Sequence, residues 1–291
     1  MDIRRHVPWN DRAGRFSALK TAVLGLLLLP GLAIAAGFAA GGGQPGARPV
    51  TVALHACGDW SLRFLVLSLA VTPAIALFAR PRLMLVRRMV GVAAFAYAAL
   101  HLTLYSADQK WNLGVIAGEI VHRIYLTIGF GALLALALLA ATSADAAIRA
   151  MGASRWRWLH RLVYPAAVLA LVHFFLQTRF DVSEPVLMSG LFVWLMGFRL
   201  VVRGRGVPAA GVLAGLSLAA FAATIAIEAL WYGVATTAGW RTVAAANFSL
   251  VAGVRPAWLV LAAGLAVSTA ARLAARRRLS AEGSPARSPR K

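Results

Sequence analysis

The chain has 291 residues, 60% of them hydrophobic and 14% charged, with a formal net charge of +20. Soluble domains carry roughly 25% charged and about 45–50% apolar residues, so this composition belongs to a membrane protein and excludes an ordinary soluble fold. The single cysteine, Cys57, excludes an intrachain disulfide and any multi-cysteine zinc or iron–sulfur site, and no phosphate loop or Ser/His/Asp arrangement stands out.

A helix crossing about 30 Å of hydrocarbon at 1.5 Å per residue needs about 20 mostly apolar residues. Eight runs meet that requirement, near 18–41, 60–79, 89–106, 124–142, 159–177, 186–202, 210–232 and 256–274. They lack the alternation of barrel strands, so the expected fold is an all-α integral membrane protein. The first run follows a basic head and imitates a cleaved signal peptide. At about 24 residues it exceeds an h-region of about 7–15, and a retained span is expected.

The connections alternate in charge. Arg4, Arg5, Arg12 and Arg15 precede span one, and Arg80, Arg82, Arg87 and Arg88 lie between spans two and three. Arg149, Arg155 and Arg157 precede span five, Arg203 and Arg205 follow span six, and Arg276, Arg277 and Arg278 follow span eight. The intervening connections hold Asp59, Asp108, Glu119, Asp181 and Glu184. An excess of Lys and Arg marks cytoplasmic loops, so both termini are expected in the cytoplasm of a multi-pass protein. The positive charge is thus a topology signal, with anionic membrane lipid rather than nucleic acid as its partner. The tail beyond Ser280, "SAEGSPARSPRK", has a disordered composition.

Imidazoles within spans need a partner. His101, in "AYAALHLTLY", lies about five residues from the outer end of span three, and His173 about four from the outer end of span five. Both spans run outward, so the two rings are expected at one depth. That arrangement suits a haem held from opposite faces; the competing reading is two unrelated histidines bonded to neighbouring helices. His160 lies at the inner end of span five among Arg155, Arg157 and Arg161. Thirteen residues, roughly 20 Å of helix, separate it from His173, so one haem cannot use both. Pro165 between them is a candidate kink. His160 reads either as a second ligand or as an interfacial histidine.

His55 and His122 are expected in outer loops and His6 in the head, as solvated residues. Glu228 reads as an interfacial carboxylate beside Trp231 and Tyr232. Arg63, at the start of span two, is expected to reach toward headgroups or a haem propionate. Tyr97, Tyr105, Tyr164, Phe174 and Phe175 are candidate ring contacts, although at helical spacing such residues are more often core.

In order, "LRFLVLSLAVTP", "LVRRMVGVAAFAYAALHL", "RIYLTIGF", "TSADAAIRAMGASRWRWLHRLVYPAAVLALVHFF" and "EPVLMSGLFVWLMGFRL" resemble the MsrQ (YedZ) family, within the ferric-reductase-like transmembrane superfamily. The resemblance covers about residues 16–202. It implies a six-helix haem-binding core over 18–202 between a cytoplasmic head at 1–17 and a two-helix extension at 203–275. A disordered basic tail occupies 276–291. It also implies haem b, one or two per chain, with His101, His173 and His160 as axial ligands to iron. The family's role is electron transfer from the quinone pool, or in some members from a cytosolic flavin reductase through FMN. The acceptor is a periplasmic molybdopterin enzyme of the MsrP type that repairs oxidised methionine in envelope proteins, and the membrane is the bacterial inner membrane. The catalytic chemistry would lie in that partner, and no FMN-binding residue is assigned here. Two other functions stay open: a transmembrane ferric or other reductase with a different acceptor, and a haem-free transport or assembly protein. The spans carry no paired buried charges or inverted repeat of the transporter kind.

Overall fold

A computed structural model describes residues 9–10, 14–41, 48–178, 181–202, 208–249 and 253–282. Most of the basic head, Arg203 and Arg205, and the tail beyond residue 282 lie outside the described residues, as does His6. Twelve α-helices follow one another among the described residues: α1 (Ala18–Ala39), α2 (Pro49–Phe78), α3 (Met84–Asp108), α4 (Leu113–His122), α5 (Ile124–Ala141), α6 (Asp145–Met151), α7 (Ala153–Leu159), α8 (Val163–Thr178), α9 (Ser183–Val202), α10 (Ala210–Ala235), α11 (Trp240–Ala246) and α12 (Pro256–Glu282). Eight segments are long and apolar enough to cross a membrane: α1, α2, Pro81–Asp108, α5, Ala153–Thr178, α9, α10 and Pro256–Arg277. The chain is an all-α, multi-pass integral membrane protein. Leu26, Leu28, Leu29 and Leu32 on α1 are all exposed, the pattern of a helix whose outer surface meets lipid.

Two compact units form, Met1–Val71 with Arg82–Thr178 and Thr72–Pro81 with Arg179–Lys291. In the first, α5 packs along α8, and α3 lies against α5 and α1. Helix α2 joins α3 through Ser61, whose buried hydroxyl donates to the Ala94 carbonyl at 2.8 Å. The Tyr97 hydroxyl donates to the Leu27 carbonyl at 2.9 Å, and Phe64 meets its ring edge-on. Gly31 permits that approach, since a Cβ there would stand 2.9 Å from the Tyr97 oxygen. Tyr97 is therefore a tie between α1 and α3. Ion pairs brace the helix ends, with Arg48 bidentate on Asp108 at 3.0 and 3.2 Å and Arg88 on Asp145 at 2.7 Å.

Three expectations change. Span two begins at Pro49 rather than near residue 60, which places His55, Cys57 and Asp59 on a helix instead of in a loop. Proline at the first helical position costs no hydrogen bond, and a helix continues through polar residues that interrupt a hydropathy run. Arg63 accordingly lies well inside α2, its guanidinium 4.8 Å from the Trp60 ring centre. Span five breaks at a 3-10 turn, His160–Leu162, before α8 starts. Pro165 then falls in the first turn of α8, where its missing N–H leaves no bond unmade.

The second unit packs α9, α10 and α12 together. Small residues set their spacing, since a Cβ on Gly264 would meet Ser217 and Trp194, and one on Gly190 would meet Thr224 and Val260. Glu228 is corrected from interfacial to buried, at 2% exposure. It accepts a hydrogen bond from the Asn247 amide at 2.7 Å and faces Arg255 at 3.7 Å. Asn247 comes from the end of α11, a short helix too brief and too little apolar to register as a span. A carboxylate removed from water needs such partners, and the fold supplies them from residues 19 and 27 positions away.

Candidate functional site

Helix α3 and helix α8 bring His101 and His173 together, ring centres 6.3 Å apart with planes at 84°. The expectation of common depth is met. Each ring is fixed by the same device. His101 Nδ1 lies 2.8 Å from the Leu54 carbonyl on α2, and His173 Nδ1 lies 2.8 Å from the Tyr125 carbonyl on α5. A carbonyl only accepts, so Nδ1 carries the proton in both rings. The neutral imidazole then has its lone pair on Nε2, and no hydrogen bond engages either Nε2 among the described residues. Donating the far nitrogen to a backbone carbonyl is how protein holds a metal-binding histidine in its tautomer and orientation.

Glycines make room for both rings. A Cβ on Gly129 would stand 2.6 Å from His173 Nδ1, and one on Gly58 would stand 3.1 Å from His101 Nδ1. The Tyr125 ring lies roughly parallel to His173 at 6.2 Å. Two neutral imidazoles whose Nε2 lone pairs take no hydrogen bond among the described residues suit two positions on one metal ion. Metal–nitrogen bonds of about 2.0–2.1 Å account for about 4 Å of the 6.3 Å separation, and the rest is close to twice the distance from ring nitrogen to ring centre. No cluster of three or more His, Cys, Asp or Glu side chains occurs among the described residues, so a multi-ligand protein cage is not the alternative there.

His160 stands apart, in the 3-10 turn that precedes α8. Its ring stacks on Trp156 at 4.0 Å, and Nε2 lies 3.2 Å from the Thr142 hydroxyl. Thr142 gives its own proton to the Leu138 carbonyl at 2.7 Å, so His160 Nε2–H is the donor and Nδ1 holds the lone pair. Trp156 closes the arrangement by donating to the Thr142 carbonyl at 2.8 Å. This tautomer is the reverse of that in the His101–His173 pair.

His55 and His122 differ in position from expectation. His122 is the last residue of α4, exposed, with Nδ1 bonded to the Gly118 carbonyl at 2.7 Å. His55 lies on α2 and meets Gln177 of α8 at 3.1 Å. Cys57 is buried and free. Gly58, Gly129 and the carbonyls of Leu54 and Tyr125 are the site elements that the sequence reading missed. Glycine three residues after His55 and four after Tyr125 is too common a spacing to single out.

The family model for the ferric reductase like transmembrane component matches residues 57–171, which include His101 and His160 and end two residues before His173. The protein-methionine-sulfoxide reductase heme-binding subunit MsrQ of Rhodospirillum rubrum is 44% identical over 193 residues, 66% of this chain and 89% of that protein. The subunit of the same name from Azospira oryzae is 40% identical over 193 residues, 66% of this chain and 82% of that protein. A third, from Polaromonas naphthalenivorans, is 42% identical over 166 residues, 56% of this chain and 76% of that protein. No solved structure gives a significant match. At this identity, over most of the relatives' length, the chain belongs to the MsrQ family within the ferric-reductase-like transmembrane proteins.

Proposed function

We propose that the chain is the haem-binding membrane subunit of a protein-methionine-sulfoxide reductase system, with a b-type haem held between His101 and His173. The observation that carries this reading is the imidazole pair itself, 6.3 Å apart, with both Nδ1 atoms committed to carbonyls. The relatives' printed name supports the choice of haem. A bound haem supplies a one-electron couple, and two imidazole ligands leave it no need of an open position. The chain's own part is to fix both rings, keep Nε2 unprotonated and surround the pair with apolar helices. Substitution of His101 or His173 by alanine should abolish that haem.

His160 is proposed as the ligand of a second, inner haem, with its trans ligand unassigned. His160→Ala should then halve the haem per chain; an unchanged stoichiometry would confine His160 to its bonds with Thr142 and Trp156. In this reading residues 18–202 carry the electron path, with a head at 1–17, an added two-helix module at 203–275 and a basic tail at 276–291. The membrane is the bacterial inner membrane, with both termini cytoplasmic, supported by the arginines of alternate connections.

Electrons enter from the quinone pool, or from a cytosolic flavin reductase through FMN, and leave to a periplasmic MsrP-type molybdoenzyme. In reconstituted vesicles, quinol should reduce the haem, and the molybdoenzyme with methionine sulfoxide should reoxidise it. Reduced haem that persists with both present would contradict this acceptor. The ferric-reductase description of the matching family model favours a second reading, the same haem pair serving another acceptor, for which ferric chelates would reoxidise the haem faster than the molybdoenzyme.

A further inference from the structure

We propose that α4 is a lipid-bound surface helix, seated in the bilayer boundary at the His101–His173 end of the bundle, and that this contact steadies the carbonyl that holds His173. The second half rests on the haem reading above. The ten residues of α4 reach about 15 Å, half of a hydrocarbon core of about 30 Å, so the helix is too short to cross. Its two neighbours are spans that end on the same side. Helix α3 stops at Asp108, and α5 starts at Ile124, with Arg123 as the only residue between it and α4. Helix α4 is therefore held at the level where those spans leave the hydrocarbon. Lys110 and Trp111 make the turn into it in left-handed backbone, φ 52° and 58°, a region that favours glycine. The Trp111 N–H donates to the Ser106 carbonyl at 2.8 Å, and Asn112 Oδ1 accepts from the Val115 N–H at 3.1 Å to open the helix.

Residues four apart share one side of a helix, and Leu113, Ala117 and Val121 form such a stripe. Leu113 and Val121 are 73% and 74% exposed, Ala117 is exposed, and Trp111 and Ile124 extend the apolar surface past both ends. Ile116 turns inward and is buried, and the Glu119–Arg123 ion pair lies off the stripe. Soluble surfaces rarely carry such a patch. Ile124, Leu134 and Leu138 leave α5 exposed on one side, so the patch runs into the surface that a span presents to lipid. Lys110 and Trp111 precede the helix and Arg123 follows it, the cationic and aromatic flanks that a membrane boundary favours. Lipid is the occupant that this continuity selects. Helix α4 is in turn locked to the first turn of α5. The Thr127 hydroxyl donates to the Ile120 carbonyl at 2.5 Å, the Arg123 N–H donates to the Glu119 carbonyl at 2.9 Å, and the Arg123 guanidinium donates to the Glu119 carboxylate at 3.0 Å. That turn contains Tyr125, whose carbonyl fixes His173. Lipid that holds α4 thus holds the support of His173.

The test uses the full chain in nanodiscs of phosphatidylethanolamine and phosphatidylglycerol. Spin labels on single cysteines, Leu113→Cys, Ala117→Cys, Val121→Cys and His122→Cys in a Cys57→Ala background, are read for collision with oxygen, which partitions into lipid, and with a water-soluble nickel chelate. The first three labels should favour oxygen and the fourth nickel, as a helix with one side in lipid dictates. Nickel access at all four would mean that the stripe is open to water or to a soluble protein, and would overturn the proposal. For the link to His173, Leu113→Asp with Val121→Asp should move the Ala117→Cys label toward nickel and speed transfer of haem to excess apomyoglobin several-fold. Leu113→Ile with Val121→Ile should keep both at wild-type values. A displaced label with an unchanged transfer rate would overturn the link. A wild-type chain that takes up no haem would overturn the haem reading and the link together, while the labels still decide the lipid contact.

Discussion

At Gly129 the site depends on the absence of a single methyl group. A Cβ there would stand 2.6 Å from His173 Nδ1, closer than real Cβ contacts come, so the ring must move and give up the Tyr125 carbonyl. Gly129→Ala should therefore cut haem per chain several-fold, whereas Gly58→Ala, at 3.1 Å from His101, should cut it less. A pyridine haemochrome assay of both variants decides this; Gly129→Ala at wild-type occupancy would contradict it. His122→Ala should leave the spectrum unchanged, because that ring is exposed and bonded within α4. The two ligand candidates were legible in the sequence because imidazoles in apolar spans are rare and both lie a similar number of residues from the same-side ends of spans three and five. Their supports were not. The chain has 26 glycines, and nothing local tells which two face a ring. A carbonyl's partner depends on how helices pack, and that information is absent from any one segment.

Element boundaries follow hydrogen bonding more closely than hydropathy. Helix α2 runs through His55, Gly58 and Asp59 because backbone bonds continue where apolar character lapses. Helix α9 opens with a polar stop. Asp181 accepts from the Ser183 backbone N–H at 3.1 Å, and the Ser183 side chain and N–H together hold its carboxyl below the usual 3.8. A carboxyl depressed in the folded state stabilises it fully above the unfolded value, and that contribution fades as pH falls through the folded value. Hydrogen exchange in the first turn of α9 should thus rise below about pH 4, and Asp181→Asn should flatten the rise. Exchange that is flat with pH in the wild type would contradict the cap. Pro165 reads as a candidate kink between His160 and His173, and the helix breaks just before it, at the 3-10 turn His160–Leu162.

For the whole molecule, the eight-span count, the all-α class and the family were legible from composition, spacing and ordered segments. The grouping of α9 with α10 and α12 in one compact unit was not, because it depends on glycine contacts between distant segments. Nor was the buried Glu228, since its partners Asn247 and Arg255 come from a connection that reads as a loop. Removing that carboxylate takes the ion-pair partner from Arg255 and leaves the Asn247 amide only its 3.2 Å bond to the Val243 carbonyl. Glu228→Ala should lower stability by about 2–3 kcal/mol, less than the ~3–5 kcal/mol of fully buried pairs because Arg255 is 25% exposed. Glu228→Gln, which keeps the bond from Asn247, should cost less. Detergent thermal unfolding measures both, and equal melting temperatures for alanine and wild type would contradict the role of the pair. The central claim is that His101 and His173 hold a haem. The most direct test is a dithionite-reduced minus oxidised spectrum of the purified chain, with haem quantified per chain, for the wild type, His101→Ala and His173→Ala. A low-spin b-type spectrum in the wild type, lost in both variants, is the predicted result; a wild-type chain without haem under ample haem supply, or variants with undiminished haem, would contradict it.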